Sequence, residues 1–303
     1  MLEELRNILK KNPYIYIGRR WLIGKKNEVM YPTLEKQENY IKKKFKKLLG
    51  YDIDFEKEPE TFNQKIQFRK LYDKNPLYSI CADKYGAREY IKSKVGEEYL
   101  IPIYLITDKL TEEQWKKLPN SFVVKPTHDN GTFKVVKNKK LANKNKIINY
   151  MNMALKLDYG KFSWERFYSS IPRKIIAEKY LDDNIKDYRF HCFNSGEIYL
   201  QITETALRVS GMYNALTWEK IEVGNGYKII DEAHQKPKNY DKMLEIAKKL
   251  SEDFDYVRVD LYNVDGKIYV GELTFCDNGG FGKFTDEKWD YKFGSYWNQK
   301  KLK

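Results

Sequence analysis

Apolar positions along the chain follow two periods. In "NYDKMLEIAKKLSEDF" Met243, Ala247, Leu250 and Phe254 fall three or four residues apart, on one face of a helix capped by Asn239 or Asp241. The period then drops to two. Val257, Val259 and Leu261 alternate with Tyr256, Arg258, Asp260 and Tyr262, the pattern of a half-buried strand. "TLEKQENYIKKKFKKLLG" reads as a helix closed by Gly50, and "DKYGAREYIKSKVG" as another running from Asp83 to Gly96. "FVVKPTHDNGTFKVV" reads as strand, polar loop and strand. "KIIAEKYLDDNIKDYRFHCFNSGEIYLQI" continues as strand, connector and a hairpin turning at Asn194, Ser195 and Gly196. Helices and antiparallel hairpins mix without βαβ regularity, internal repeats or low-complexity linkers. The predicted fold class is α+β.

The strand at Tyr256 opens "YVRVDLYNVDGKIYVGELTF", a hairpin with a carboxylate in each arm, Asp260 and Glu272. Acidic residues are depleted in strands, so the pair needs a reason. Turn length decides whether the two meet. A two-residue loop at Asp265 and Gly266 sets Val259 opposite Glu272 and puts the acids on opposite faces. A three-residue loop, Val264 to Gly266 with Gly266 left-handed, sets Asp260 opposite Val270 and Arg258 opposite Glu272. Arg258, Asp260, Glu272 and Thr274 then share a face. Asn263 at the first turn position and Gly266 at the fourth favour the longer loop. There the acids lie diagonally, roughly 7 Å apart at Cβ, within reach of one hard cation. The alternative is an exposed face dotted with charge.

Composition narrows the class. At 303 residues the chain can bury a sizeable core, as two domains or one large enzyme domain, and 25 tyrosines exclude a disordered chain. Cys81, Cys192 and Cys276 are odd in number and lack CxxC spacing, which fits a reducing compartment rather than a zinc site or disulfide framework. "MLEELRNILKKNPYIYIG" has acids where a signal peptide has its apolar region, and the longest apolar run, "YLIPIYLI", is too short to span a bilayer. A soluble, cytoplasmic protein is expected. The net charge is 56 − 43 = +13 and is uneven: residues 1–50 hold 13 Lys/Arg against 5 Asp/Glu. Such a surface attracts polyanions, although lysine-rich solvated surfaces are common. No zinc-finger or RNA-binding signature supports nucleic acid as the partner.

A lysine ending an apolar strand before a flexible loop suits phosphate binding, and Lys125 in "FVVKPTHDNGT" has that context. A surface lysine is the ordinary reading of one such residue. His128 in the same loop reads as solvated, and Glu178 at the end of "KIIAE" as an edge salt bridge. The nucleophile elbow GxSxG, the Walker A motif and GxGxxG are absent. Two DxD triplets, at Asp52 and Asp54 and at Asp253 and Asp255, match the short metal motif of sugar-nucleotide transferases. So short a pattern arises readily by chance.

In order, "ADKYGARE", "FVVKP…NG", "IIAEKYL", "DYRFHCFNSGE" and "RVDLYNVDGKIYVGELTF" resemble the ATP-grasp superfamily, specifically its TupA-like branch, associated with teichuronopeptide and capsular polysaccharide biosynthesis. The likeness runs from about Thr61 to Gly294 and rests on the ordered set rather than any one motif. It implies an ATP-grasp fold, with the nucleotide between two α+β subdomains and a helical basic N-terminal region added. The expected divisions are an N-terminal basic region (1–75), a linker or pre-ATP-grasp segment (76–120), a subdomain with the phosphate-covering loop (121–181) and a subdomain with the metal site (182–303).

The resemblance also implies roles. Lys84 and Lys125 would hold ATP phosphates. Glu178 would face adenine, with backbone contacts from Lys179, Tyr180 and Leu181, and Asp187 would take the ribose hydroxyls. Asp260 and Glu272 would hold Mg2+, and Arg258 would face the transferred group. The superfamily usually has Asn two residues after the second acid. Thr274 stands there, and either it or Asn278 would supply the missing oxygen. The implied activity is an ATP-dependent carboxylate–amine ligase working through an acyl phosphate. Its substrates would be an anionic sugar or polysaccharide precursor and an amine or amino acid. Peripheral association with membrane-bound polysaccharide machinery is a further expectation. A capsule glycosyltransferase and a non-catalytic polyanion-binding protein are the competing classes.

Overall fold

The computed structural model describes residues 12–183, 185–204 and 209–300. Most of the N-terminal stretch read above for a signal sequence lies outside the described residues. Two sheets carry the architecture. The smaller is antiparallel, in the order β1 (Ile103–Thr107), β4 (Ile175–Glu178), β2 (Phe122–Pro126), β3 (Lys134–Val136). The larger runs β11 (Lys267–Thr274), β10 (Tyr256–Val264), β5 (Asp187–Phe193), β6 (Ile198–Glu204), β7 (Val209–Asn214), β8 (Lys220–Ile221), and β9 (Lys228–Ile229) lies parallel to β7. β1 falls in the segment expected as a linker, yet it is an edge strand of the small sheet, paired with β4.

Each sheet has its own core. Phe122, Val124, Ile175 and Ala177 of the small sheet pack with Trp115, Met151 and Leu157. Phe190, Leu200, Val257 and Val259 of the large sheet pack under the helix Tyr240–Ser251, through Met243, Ile246, Ala247 and Leu250. That is the apolar face its spacing predicts. Asn239 sits at its N-cap but makes no side-chain cap bond. Its amide instead donates to Gly266 O at 2.8 Å and accepts from Asn263 at 2.7 Å, pinning the helix to the hairpin turn.

The hairpin departs from expectation in two places that compensate. Val264 pairs with Lys267, so the loop is the two-residue one, with Asp265 and Gly266 at φ 50° and 83°. Positive φ at both positions is what an Asp-Gly type I′ turn provides. The register then shifts between Asp260 and Leu261, because β11 carries one extra residue at Gly271. This is a β-bulge, and it sets Asp260 directly opposite Glu272 and Arg258 opposite Thr274. A Cβ on Gly271 would lie 2.8 Å from the Tyr262 ring, so any larger residue at the bulge would have to displace that ring.

The helix expected from Asp83 starts at Ala87 instead. Asp83 to Gly86 form a turn, with the Asp83 carboxylate accepting from Tyr85 N at 3.0 Å, and Lys84 sits in that turn. The N-terminal helices, Pro13–Met30 and Leu34–Leu49, are integral to the body. Ile17 enters the small-sheet core, while Ile41, Phe45 and Leu49 form a third core with Phe55, Phe68 and Leu71. Gly50 closes the second helix at φ 94°.

Candidate active site

A cavity of about 380 Å³ lies between the sheets, lined by Lys84, Lys125, Glu178, Lys179, Tyr180, Leu181, Asp187, Asp260 and Glu272. Nine sequence-nominated residues thus share one space. The remaining three, Arg258, Thr274 and Asn278, line a second cavity of about 560 Å³ that shares Asn130, Arg189 and Glu272 with the first.

The small sheet and its neighbours present cations. Lys125 projects from β2, its Nζ 2.5 Å from Glu178 Oε1 on the adjacent β4. Lys84 donates from its ammonium to the carbonyl of Asp129, and from its backbone N–H to Thr127 O at 3.2 Å. Its turn is thereby tied to the loop between β2 and β3. Burial, with Lys125 nearby, lowers the Lys84 pKa, while Asp129, Glu272 and Glu178 oppose the shift. An additional anion would favour the charged form further.

The large sheet presents carboxylates. Arg189 Nε donates to Asp187 Oδ2 at 2.8 Å and its Nη2 lies 2.8 Å from the same oxygen, while buried Asp187 Oδ1 has no hydrogen-bond partner among the described residues. Arg258 forks onto Asp260, Nε to Oδ1 at 2.7 Å and Nη2 to Oδ2 at 2.6 Å. Its Nη2 also reaches Thr274 Oγ1 at 3.2 Å and Glu272 Oε1 at 3.4 Å, and Nη1 donates to Asp277. Burial raises the Asp260 carboxyl to about 8 against the pull of Arg258, and Asp187 and Glu272 add to the rise. Glu272 goes the other way: burial opposes its charge, but Arg258, Lys84 and Lys125 together hold its pKa down.

This donor set fits a divalent cation. Asp260 and Glu272 sit side by side across the bulge, and Asp187 leaves a buried oxygen unpartnered in the same cavity. Among the described residues no three His, Cys, Asp or Glu side chains form a metal cage by themselves. That suits Mg2+, which is typically bound by one or two carboxylates and completed by water and phosphate oxygens. Thr274 is committed to neighbours, accepting from Arg258 and donating to Glu272 Oε1 at 3.3 Å. Asn278 points to Asn225 and Asp277, both at 3.2 Å.

Several residues here escaped the sequence reading. Asp277 is 2% exposed and anchors the far side of the Arg258 fork, held in turn by Asn225 at 3.0 Å. Arg20 from the first N-terminal helix donates to Asn130 O at 2.7 Å and lies 4.0 Å from the Asp129 carboxylate, so that helix braces the loop over the cavity. Loop acids and a distant helix leave no pattern in sequence, and nothing there pointed to either contact. His128 is not solvated: it is 1% exposed, with Nε2 3.2 Å from Leu157 O. The DxD triplets line neither cavity. Asp253 pairs with Lys94 at 2.8 Å and Asp255 with Arg69, while Asp52 pairs with Lys46 at 3.0 Å and Asp54 with Lys42 at 3.9 Å.

Residues 64–298 match the family model described as TupA-like ATPgrasp. No curated protein sequence matches the chain. Among solved structures, D-alanine–D-alanine ligase from Bacillus anthracis complexed with ATP is similar at 18% identity and TM-score 0.38, over 64% of this chain and 53% of that one. D-alanine–D-alanine ligase from Helicobacter pylori aligns at 16% identity and TM-score 0.41, over 73% and 62%. L-amino acid ligase from Bacillus licheniformis aligns at 16% identity and TM-score 0.40, over 66% and 44%. The chain therefore spans about half the length of these structures. Among the described residues no helix is long and apolar enough to cross a membrane.

Proposed function

Because the chain belongs to the TupA-like ATP-grasp family, we propose that it is an ATP-dependent carboxylate–amine ligase acting on a cell-surface polysaccharide or sugar precursor, for instance joining an amino acid to a uronic acid. The observation that carries this reading is the meeting of Lys84 and Lys125 with Asp187, Asp260 and Glu272 around one cavity that continues past Arg258. A cleft with cations on one wall and carboxylates on the other suits a polyanion that arrives with a cation.

In this reading Lys84 and Lys125 hold the phosphates. Lys179, Tyr180 and Leu181 line the base, with Glu178 beside it, and Asp187 takes the ribose. Asp260 and Glu272 would hold Mg2+, with Thr274 supporting Glu272. The ion neutralises charge on the phosphates when bound. Arg258 faces the reacting carboxylate, whose oxygen attacks the γ-phosphorus as ADP leaves. The resulting acyl phosphate is then attacked by the amine, with Arg258 near the developing oxyanion and phosphate departing. The chain's contribution is positioning and charge rather than covalent chemistry.

The test is product identity. Mg-ATP with a uronic acid and an amino acid should yield ADP and inorganic phosphate, and hydroxylamine should trap the activated acyl group as a hydroxamate. AMP and pyrophosphate as products, or consumption of a sugar nucleotide with no ADP formed, would overturn the ligase reading. The second result would restore the glycosyltransferase, whose DxD carboxylates lie outside both cavities.

A further inference from the structure

The second cavity is walled in part by residues that precede the family-matched segment. Ile23 and Asn27 come from the helix Pro13–Met30, and Tyr40 and Lys44 from Leu34–Leu49, whereas the match begins at residue 64. These helices are docked rather than draped. Asn27 is buried and donates to Lys161 O at 2.9 Å and Phe162 O at 3.3 Å, and Arg20 holds the loop at Asn130. The part of the chain that the family model leaves out therefore shapes the space next to Arg258.

The lining has a definite chemistry. At one end are Arg258 and Arg189, and elsewhere on the wall are Lys44 and Lys70. Lys70 is 2% exposed and donates to Gly279 O at 3.0 Å. Lys44 lies over the Phe281 ring, 4.1 Å from its centroid, and the Lys70 ammonium is 5.1 Å from the same centroid. Among the described residues neither lysine has a carboxylate within ion-pair distance. Burial, with Lys70 beside it, lowers Lys44 to about 8. The buried Glu165 lines the same cavity, and its charge favours the charged form of Lys70 against burial, while Lys44 is held down by burial and by Lys70. One carboxylate thus faces two ammonium groups, and an anionic ligand would be favoured beside Lys44. Between the cationic groups the wall is aromatic, with Tyr40, Tyr159, Phe162, Trp164 and Phe281. Tyr40 and Trp164 have their ring centroids 5.7 Å apart at 32°. Flat apolar rings suit the C–H faces of pyranoses, whose hydroxyls then point to polar neighbours. At about 560 Å³ the space takes a multi-ring ligand rather than a lone ion.

We infer that this cavity is the acceptor site for an acidic carbohydrate with at least two anionic groups, the reacting carboxylate near Arg258 and a second anion held by Lys44 and Lys70. The inference rests on the ligase reading for the role of the group near Arg258. It goes beyond that reading in assigning the N-terminal helices to substrate recognition. The net positive charge of the first 50 residues then has a local use, the cationic end of a substrate cavity.

Calorimetry on the full chain with Mg-ADP present tests this, using trigalacturonate, galacturonate and maltotriose as probes. Trigalacturonate should bind, galacturonate at least tenfold more weakly, and maltotriose should give no binding heat. Lys44→Glu should weaken trigalacturonate at least tenfold while leaving the Mg-ATP thermal shift at the parental value. Lys47→Glu, the same charge change at an exposed position of the same helix, should bind as the parent does. Equal binding of maltotriose, equal loss in both variants, or no trigalacturonate binding by a protein that still shows the Mg-ATP shift would each overturn the inference. A parent with no Mg-ATP shift would instead sink the nucleotide reading, and the carbohydrate titrations would still report on this cavity.

Discussion

The two walls of the cleft proposed to hold the nucleotide differ in how far they are satisfied before any ligand arrives. On the large sheet, Arg258 is locked by Asp260, Asp277, Glu272 and Thr274, all on β10, β11 or the turn just after them. On the small-sheet side Lys84 is half-buried, with its ammonium on a loop carbonyl, and the loop itself is braced by Arg20 from a helix more than a hundred residues away in sequence. Neighbouring strands hold one wall, whereas distant segments meet in the other. The carboxylate wall is preorganised, and the lysine wall depends on a loop that the N-terminal helix positions. Preorganisation matters most where charge develops during reaction, so the wall carrying Arg258 and the carboxylates proposed to hold Mg2+ should dominate turnover. The lysine wall should dominate nucleotide affinity.

The sharpest attempt to break that contrast is at the carboxylates. Asp260→Asn and Glu272→Gln should each cut Mg-dependent turnover by about a thousandfold while the far-UV circular dichroism stays unchanged. Burial already disfavours the Asp260 charge, and Arg258 keeps its other partners in the Asn variant. A variant that kept most of its activity would remove that carboxylate from the site. Lys125→Ala is the matching test of the other wall. In the proposed site it would remove a charge-assisted phosphate contact of about 1.5–3 kcal/mol, so the thermal shift with Mg-ATP should shrink markedly. An unchanged shift would take Lys125 out of the nucleotide site.

Gly271→Ala probes what brings the carboxylates face to face. The added methyl meets the Tyr262 ring at 2.8 Å, and overpacking of this kind costs about 1–3 kcal/mol. The Tm should fall, and the loss should be smaller in a Tyr262→Leu background, because the two positions share one clash. Equal losses in both backgrounds would show that the ring is not what excludes a side chain.

The same glycine shows where sequence was legible and where it was not. The hydrophobic period located β10, β11 and the helix before them, because each buries one regular face. The ordered motifs also singled out residues that line the two cavities. The pairing register was misjudged, because Asn263 and Gly266 fit a longer turn while Asp265 and Gly266 form the shorter one. The bulge restored a shared face for Asp260 and Glu272. Gly271 inside a strand pattern was the available clue, since an interior strand glycine often marks a bulge or a close approach. Asp277 and Arg20 had no such clue. Their partners are distant in sequence, and only tertiary packing brings them together.

The smallest expected effect asks whether the two cores respond separately to acid. His128 packs beside the small-sheet core through Leu157 O, and His191 lies against Phe62 and Phe293 of the large-sheet core, with Nδ1 3.0 Å from Tyr256 Oη. Burial holds each imidazole down to about 4, Arg173 adding to the effect at His128 and Arg258 at His191. The unfolded chain takes up these protons near pH 6.5, so each neutral histidine's contribution is fully present above that value and is lost as pH falls toward 4. At pH 5.5 the loss should be about 1.4 kcal/mol per histidine. Glu165 and Asp260, raised to about 7 and about 8 by burial, act in the opposite sense. The informative quantity is therefore the difference between variant and parent at each pH. His128→Gln and His191→Gln should each gain about 3 °C relative to the parent between pH 7.5 and 5.5. A variant whose pH curve runs parallel to the parent's would refute the burial argument for that residue. If the chain unfolds as one unit, both variants should move the same transition. Two transitions, each moved by one variant, would mean that the walls of the cleft belong to separately melting units.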